Sequence, residues 1–403
     1  YTKGKNPSEL HDDPIAGTLP YLAMDFLRGK NNAPKYAFLT NSTYLVENEQ
    51  PLIIWDGSNA GEFVSGRRGI LSSTMAAAVL SKIISPKFYN YLSIVIEKEM
   101  RRSTIGMGIP HVDGSELNNL PLAMPDSIYE QNVIASYLDV EVGSIDNLIT
   151  EKQNFIKLLS EKRQALISHV VTKGLNPNVP MKDSGVEWIG EIPAHWKVSP
   201  IKHYISSVKS GTSVNAGNVP ASENEIGVLK TSCVSSGEFN FKQNKTVISE
   251  DLDRVTCKVE PGALIVSRMN TPELVGAAGY VRECPDNIYL PDRLWQLNAI
   301  ENLENEYIHF WTQSPSYRTQ VNLCCIGTSD SMQNLSQEKF KNFYIAIPPI
   351  EEQIKLIEEV NKQSVLLEKI KSETINSIKL LKEHRTALIS AAVTGKIDVR
   401  EKA

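Results

Sequence analysis

The segment "EKQNFIKLLSEKRQALISHVVT" (151–172) recurs later in the chain as "ETINSIKLLKEHRTALISAAVT" (373–394). The match extends without a gap from 130–175 to 352–397, so the two copies are separated by a constant 222 positions. A match of this length within one chain is an internal repeat, and an internal repeat indicates the overall architecture more directly than any local motif. The 403 residues are therefore predicted to form two copies of one structural unit.

Both copies have the pattern of a long helix with one apolar stripe. A helix of about 44 residues, at about 1.5 Å per residue, is about 65 Å long, and its stripe needs a partner helix. The other copy is the obvious partner, and a pseudo-twofold axis between the copies makes the pair antiparallel. The predicted core positions of this coiled coil recur every seven residues and are Leu138, Ile145, Leu159 and Leu166 in the first copy and Val360, Leu367, Leu381 and Leu388 in the second.

Other positions along the stripes carry further predictions. The middle position of each series is polar, Lys152 and Thr374, and such a break either fixes the register of the pair or is simply tolerated. Gly174 and Gly395 follow the stripes, where a glycine commonly ends a helix. The flanks of the first stripe are predicted to bury Ile134, Leu148, Ile149, Phe155, Ile156 and Val170.

The rest of the sequence predicts two globular domains of mixed structure. Short apolar strands such as 51–55, 262–266 and 343–347 are separated by Gly, Ser and Asn turns, with fewer helical runs. The predicted fold class is α+β: two strand-rich α/β domains in an internal repeat, joined by two long helices that form an antiparallel coiled coil. The predicted boundaries are 1–125 for the first domain, 126–175 for the first long helix, 176–201 for an extended linker, 202–348 for the second domain, 349–398 for the second long helix and 399–403 for a tail.

The sequence lacks the motifs of common enzyme classes. It has no Gly-x4-Gly-Lys-Ser/Thr loop, no His-Glu-x-x-His, no Gly-x-Ser-x-Gly, no Rossmann glycine fingerprint and no Asn/Asp-Pro-Pro-aromatic motif. The seven histidines have no metal-ligand spacing, and the five cysteines include no Cys-x-x-Cys pair. We therefore expect no catalytic, cofactor or metal site, and buried thiols in a reducing cytoplasm. No apolar run reaches the roughly 18–20 residues that a membrane span needs.

Polar loops that follow apolar strands are the candidates for a binding surface. Arg and Lys donate hydrogen bonds to phosphates and guanine edges, and Asn can pair with adenine. Each of these side chains also fits a solvated turn, and the net charge of −5 argues against nucleic-acid binding by charge alone. The candidate DNA-contacting residues are Ser58, Asn59, Arg67 and Arg68 in the first domain and Lys230, Thr231, Ser267, Arg268, Asn270 and Thr271 in the second.

Several motifs together resemble the DNA specificity subunits of type I restriction-modification enzymes. The motifs are "SGVEWIGEIPAHWKVSPIK" (184–202) before the second domain, "LPLAMPDSIYEQNVIASYLD" (120–139) and "IAIPPIEEQIKLIEEV" (345–360) at the helix starts, and "EKRQALISHVVTKGL" (161–175) and "EHRTALISAAVTGKI" (383–397) at the helix ends. The resemblance covers essentially the whole chain. The first domain departs from the pattern, because no tryptophan entry equivalent to His195-Trp196 precedes it. This departure predicts that an N-terminal strand of that domain is missing.

The resemblance implies a protein with no catalysis of its own. Each target-recognition domain would read one half of a bipartite double-stranded DNA target in the major groove. The helix pair would set the half-site spacing and dock two methyltransferase subunits. These partners, with added restriction and translocase subunits, would carry S-adenosylmethionine, ATP and Mg, so no cofactor is expected in this chain. The acidic chain alone is then expected to bind DNA weakly, with partners supplying much of the phosphate attraction.

Two other interpretations remain open on the sequence alone. The chain is the specificity portion of a combined restriction-methylation enzyme, or it is a scaffold whose helices bind protein while its domains do not touch DNA. The first interpretation is disfavoured, because the chain lacks the Asn/Asp-Pro-Pro-aromatic motif of amino-methyltransferases, and no Glu-x-Lys follows Pro285-Asp286 as in a nuclease motif. Footprinting of a reconstituted complex separates the second from DNA reading, because a scaffold gives no sequence-dependent protection.

Overall fold

The computed structural model describes residues 1–29, 34–101, 110–329 and 332–400. The chain divides into two compact units, Tyr1–Asn154 with Thr374–Ala403, and Phe155–Glu373. The two longest helices, Ile128–Lys173 and Ile350–Val393, each contribute one segment to each unit. The predicted α+β fold class, with strand-rich domains and two long helices, is confirmed.

The described residues of the first unit form two four-stranded sheets. Its elements are β1 (Thr2–Lys3), β2 (Thr18–Leu22), α1 (Met24–Leu27), β3 (Tyr36–Phe38), β4 (Leu45–Val46), β5 (Pro51–Ile54), β6 (Phe63–Ser65), β7 (Gly69–Leu71), β8 (Met75–Ala77), α2 (Pro86–Met100), α3 (Gly114–Asn119), the start of α4 (Ile128–Lys173) and the end of the long helix Ile350–Val393. The strand order is β1-β8-β5-β6 in one sheet and β3-β2-β7-β4 in the other. The first sheet and α2 share one buried cluster with α4, through Ile53, Phe88 and Leu138.

The second unit repeats this plan with additional short ladders. Its elements are the end of α4, β9 (Met181–Asp183), β10 (Glu191–Pro193), β11 (Lys197–Pro200), β12 (Ile205–Ser210), β13 (Gly227–Leu229), β14 (Asn244–Thr246), β15 (Leu264–Ser267), β16 (Met269–Asn270), β17 (Ala278–Tyr280), β18 (Ile288–Tyr289), β19 (Leu294–Ala299), α5 (Asn305–Thr312), α6 (Pro315–Cys324), β20 (Ile326–Ser329), β21 (Met332–Asn334), α7 (Gln337–Lys341), β22 (Tyr344–Ile347) and the start of α8 (Ile350–Val393). The central sheet has the order β12-β19-β15-β17, beside the sheets β14-β13-β18 and β16-β21-β20.

The two long helices pack against each other within each unit. In the first unit Leu138 near the start of α4 and Ile389 near the end of α8 belong to one buried cluster. In the second unit Ile167 near the end of α4 and Val360 near the start of α8 belong to another. The start of each helix therefore packs against the end of the other, so the predicted antiparallel pair is confirmed.

The buried stripe is narrower than the sequence predicted. Among the predicted core positions, five are buried and the other three are half-buried. The five are Leu138, Ile145, Leu159, Val360 and Leu367, and the three are Leu166, Leu381 and Leu388. Leu148 and Phe155 are 40% and 44% exposed, so the prediction that they flank the core is wrong. A single partner helix covers a narrow seam, and both residues lie outside it.

Each long helix ends as its glycine predicted. Gly174 follows Lys173 with φ of 72°, and Gly395 follows the last turn of α8 with φ of 70°. These left-handed conformations are accessible to glycine at little steric cost. The central positions differ in burial, because Thr374 is buried and Lys152 is half-buried.

The entry to the second domain is built around Trp196. Its indole is fully buried and donates a hydrogen bond to Glu352 Oε2 at 3.1 Å, while His195 Nε2 lies 2.7 Å from the same oxygen. The strand that follows, β11, pairs with β22 just before α8. The counterpart of β22 in the first domain is the segment 120–124, which has no ladder partner among the described residues.

Candidate nucleic-acid interface

The candidate residues 267–271 of the second unit begin at the end of β15, where the chain leaves the central sheet. The Arg268 N–H donates to the Arg293 carbonyl at 3.1 Å, and the Arg268 carbonyl accepts from the Leu335 N–H at 2.8 Å. Asn270 lies in β16 and pairs with Gln333 of β21. Bonds to two distant segments therefore fix the backbone of this loop.

The side chains of this loop differ in what they can reach. Arg268 is half-buried, and its Nε is buried without a hydrogen-bond partner among the described residues. The Asn270 amide donates to Ser267 Oγ at 3.3 Å and accepts from the Thr271 N–H at 2.9 Å. Ser267 is 0% exposed, so its hydroxyl does not lie on the loop surface where the sequence placed it. The strand extends through Ser267, which places the hydroxyl in the interior.

The second pair of candidates in this unit follows β13. The Lys230 N–H donates to the Gln243 carbonyl at 2.9 Å, and Thr231 begins a 3-10 helix that ends at Val234. Val234 and Ile265 of β15 belong to one buried cluster. Both candidate loops of the second unit therefore rest on a shared core, and Lys230 and Thr231 are half-buried.

The loop after β5 in the first unit has the same backbone bonds as the loop after β15. The Trp55 N–H donates to the Thr74 carbonyl at 2.8 Å, and the Trp55 carbonyl accepts from the Val112 N–H at 2.9 Å. Ser58 is exposed and Asn59 is half-buried in this loop. The two units therefore present candidate residues from equivalent places in the repeat.

Arg67 and Arg68 lie elsewhere. They follow β6, whereas the loop with Asn59 connects the other ends of the antiparallel strands β5 and β6. The Arg67 guanidinium lies over the Phe26 ring, 5.4 Å from its centroid. The structure thus places the four candidates of the first unit in two groups at opposite ends of one hairpin.

Sequence reasoning missed the residues that neighbour the candidate loops. Arg293 and Gln333 flank the loop after β15, and Thr74 flanks the loop after β5. They reach these places through backbone bonds to distant segments, so no local pattern marks them. With Arg268 and Asn270, Arg293 and Gln333 supply guanidinium and amide groups of the kind that bind phosphates and base edges.

A polar cluster fixes the globular domain of the second unit against the end of α4. Arg163 donates to Glu238 and to Gln313 Oε1, the latter at 3.2 Å. His309 Nε2 lies 2.6 Å from the Gly237 carbonyl. Burial lowers the pKa of His309, because the interior disfavours the imidazolium ion.

The equivalent arginine of the repeat has a different partner. Arg385, which lies 222 positions after Arg163, donates two hydrogen bonds to the Asp146 carboxylate, at 2.8 and 3.1 Å. This ion pair links α8 to α4 in the first unit. The two helix ends therefore match in sequence but are fixed by different contacts.

The described residues show no constellation for metal binding. No group of three or more His, Cys, Asp or Glu side chains among them is arranged to hold an ion. All five cysteines are free thiols, of which Cys233 and Cys257 are buried. None of the helices in the described part of the chain is long and apolar enough to span a membrane.

Comparison with known proteins gives consistent matches over nearly the whole chain. Residues 2–158 and 193–380 match the family model described as the type I restriction modification DNA specificity domain. The MjaVIII type I restriction enzyme specificity subunit of Methanocaldococcus jannaschii is 29% identical over 405 residues, which cover 99% of this chain and 91% of that protein.

Two solved structures share the fold. One, from a study of complex assembly and conformational transition of a type I R-M system, covers 98% of this chain and 96% of its own, at 14% identity and a TM-score of 0.68. The HsdS subunit of Thermoanaerobacter tengcongensis covers 98% of this chain and 95% of its own, at 15% identity and a TM-score of 0.50.

Proposed function

The chain belongs to the type I restriction-modification DNA specificity family, and we propose that it reads a bipartite DNA target with one recognition domain for each half. The observation that carries this proposal is the equivalence of the two units. Each presents a polar loop after a buried strand, with the same pair of backbone bonds at Trp55 and at Arg268. Equivalent loops with different side chains suit two recognition domains that bind different base sequences.

The helix pair is the proposed spacer and docking surface. A rigid antiparallel pair holds two readers at a fixed separation, so the protein discriminates by half-site spacing as well as by base. Two methyltransferase subunits dock on it, and restriction and translocase subunits join them. These partners carry S-adenosylmethionine, ATP and Mg, and the chain itself performs no catalysis. The complex works in the cytoplasm, where its DNA substrate is found.

The net charge of −5 supports the proposal that partner subunits supply much of the attraction to DNA phosphates. Sequence-independent affinity comes mainly from Lys and Arg contacts to phosphates, and each contact adds to the salt dependence. An acidic chain supplies few such contacts. The isolated chain therefore binds DNA weakly and with a small salt slope, and the assembled complex binds more tightly with a larger slope.

The test is recognition by the reconstituted complex, read out by footprinting and by mapping of methylated adenines. Replacing Arg268 or Asn270 with Ala changes or abolishes recognition of one half-site only. Replacing Asn59 or Arg67 with Ala affects the other half-site only. The unaffected half serves as the internal control in each variant. If all four variants alter both halves alike, the two-reader proposal fails, and uniform protection without sequence preference removes DNA reading altogether.

A further inference from the structure

Two buried glutamines occupy equivalent places at the starts of the long helices. Gln131 lies in the first turn of α4 and Gln353 in the first turn of α8, 222 positions apart. Both side chains are 0% exposed. Burying a carboxamide costs free energy unless its two N–H groups and its oxygen all form hydrogen bonds. The partners of these hydrogen bonds therefore indicate which segments the glutamine connects.

In the first unit, the Gln131 carboxamide joins three segments. Its Nε2 donates to the Pro125 carbonyl at 2.8 Å and to the Ile83 carbonyl at 3.0 Å. Its Oε1 accepts from the Ser85 N–H at 2.7 Å. Pro125 belongs to the segment that enters α4, and Ser85 is the N-cap of α2.

Gln353 repeats the arrangement in the second unit. Its Nε2 donates to the Pro348 carbonyl at 2.9 Å and to the Asn302 carbonyl at 3.1 Å. Its Oε1 accepts from the Glu304 N–H at 2.9 Å. Glu304 is the N-cap of α5, so each glutamine holds the N-terminus of a recognition-domain helix.

The domain helix held by each glutamine also packs against a long helix. Leu92 of α2 shares a buried cluster with Leu138 of α4, and Tyr307 of α5 shares one with Val360 of α8. Apolar packing brings the surfaces together without fixing a direction, whereas hydrogen bonds are directional. The carboxamide therefore supplies the directional contact at the junction between each domain and its helix.

We propose that Gln131 and Gln353 are positioning residues that fix the angle at which each recognition domain is held on the long helices. This inference rests on the proposed function, because the angle determines the phase at which each half-site is read. Neither residue touches DNA. A rotation of about 10° at a junction moves a reading loop about 20 Å away by about 3.5 Å, which is one base-pair step.

The test is a selection of DNA sites by the reconstituted complex, from a library with both half-sites fixed and the gap length varied. The wild-type complex selects one gap length. The variants Gln131→Glu and Gln353→Glu place a carboxylate oxygen against two carbonyls. They are expected to reduce the preference for the best gap over its neighbours by at least fivefold. A second selection, with randomised half-sites, is expected to return the same bases as for wild type. Gln153→Glu, the same change at an exposed position of α4, leaves both properties unchanged.

The outcomes separate this inference from the proposed function. A wild-type complex that selects no bipartite site contradicts the proposed function. If the wild type selects one gap and both glutamate variants keep the same preference, the positioning role is wrong. A merely structural role lowers the melting temperature and leaves the gap preference intact. The near-isosteric variants Gln131→Met and Gln353→Met, which remove the hydrogen bonds without adding charge, are expected to show the same loss of gap preference.

Hydrogen exchange in the unmodified chain tests the inference even if every variant misfolds. The amides of Ser85 and Glu304 are expected to exchange at least a hundredfold more slowly than the amide of Asp113, the N-cap of the short helix α3. Similar rates at these amides would show that the carboxamide bonds open freely and would overturn the positioning role.

Discussion

A matched lengthening of both long helices is the most direct test of the spacer. The change duplicates residues 148–154 after Asn154 and residues 367–373 after Glu373, where the chain passes from one compact unit to the other. Seven residues preserve the phase of the apolar seam almost completely, because seven residues make nearly two turns. Both helices are extended equally, so the contacts at their two ends are retained.

The expected change in spacing follows from helix and DNA geometry. Seven residues at about 1.5 Å each add about 10.5 Å, and B-DNA rises about 3.4 Å per base pair, so the gap grows by about three base pairs. Three base pairs also rotate one half-site by about 100° relative to the other, whereas a heptad rotates the helix by only about 20°. The DNA must absorb that difference by twisting, so affinity falls while the gap lengthens.

The assay is selection of half-sites and gap length by the reconstituted complex, compared with the unmodified chain. The half-site bases are expected to stay the same, since the reading loops are untouched. A control that duplicates only 148–154 leaves the paired helices unequal and is expected to lose cooperative unfolding and site selection. An unchanged gap in the doubly lengthened chain refutes the spacer, and altered half-site bases refute the separation of spacing from base reading.

Three further predictions concern stability. Trp196→Ala removes a fully buried indole and is expected to lower the free energy of unfolding by about 3–5 kcal/mol in denaturant titrations, whereas Glu352→Gln, which keeps an acceptor for the indole, costs less. Burial lowers the pKa of His309 in the folded chain. As the pH falls below about 6.5, this imidazole therefore takes up a proton in the unfolded chain but stays neutral in the folded chain. The free energy of unfolding is expected to decline from pH 7.5 to 5.5 as a result. The variant His309→Gln flattens that decline, and an equal slope in both proteins contradicts it. A double-mutant cycle with Asp146→Asn and Arg385→Met is expected to give a coupling energy of at most about 1 kcal/mol. Both side chains are partly exposed, Asp146 at 49% and Arg385 at 32%, so solvent screens the ion pair. A larger coupling energy would contradict this screening.

The sequence predicted the parts of the fold that repeat locally. A seven-residue period and a closing glycine are local signals, so the long helices and their ends at Gly174 and Gly395 follow from them. Periodicity does not give the width of the buried seam, which depends on what covers it. Leu148 and Phe155 are apolar but exposed because one partner helix covers only a narrow stripe.

The sequence predicted the candidate interface only in part. The residues beside the candidate loops reach them through backbone hydrogen bonds between segments that are far apart in the sequence. Arg293 reaches Arg268 through a bond between chain segments that no local pattern connects. The sequence placed Ser267 in a surface loop, but β15 extends through it and it is buried, because the sequence does not show where a strand ends. The position of Gln131 could have been noticed in the sequence. It lies seven residues before Leu138 and is therefore a polar residue at a position of the apolar stripe.

The division of the long helices between the units has a consequence for synthesis on the ribosome. The second unit is contiguous in sequence, so a nascent chain can close it once residues 155–373 have emerged. The first unit starts earlier but needs residues after Thr374, so it closes only after the second. Until then α4 around Leu138 packs only against the first domain, and the residues that the end of α8 covers are open to chaperones and proteases. A product truncated before Thr374 therefore lacks the end of α8 and leaves the surface that it covers permanently exposed.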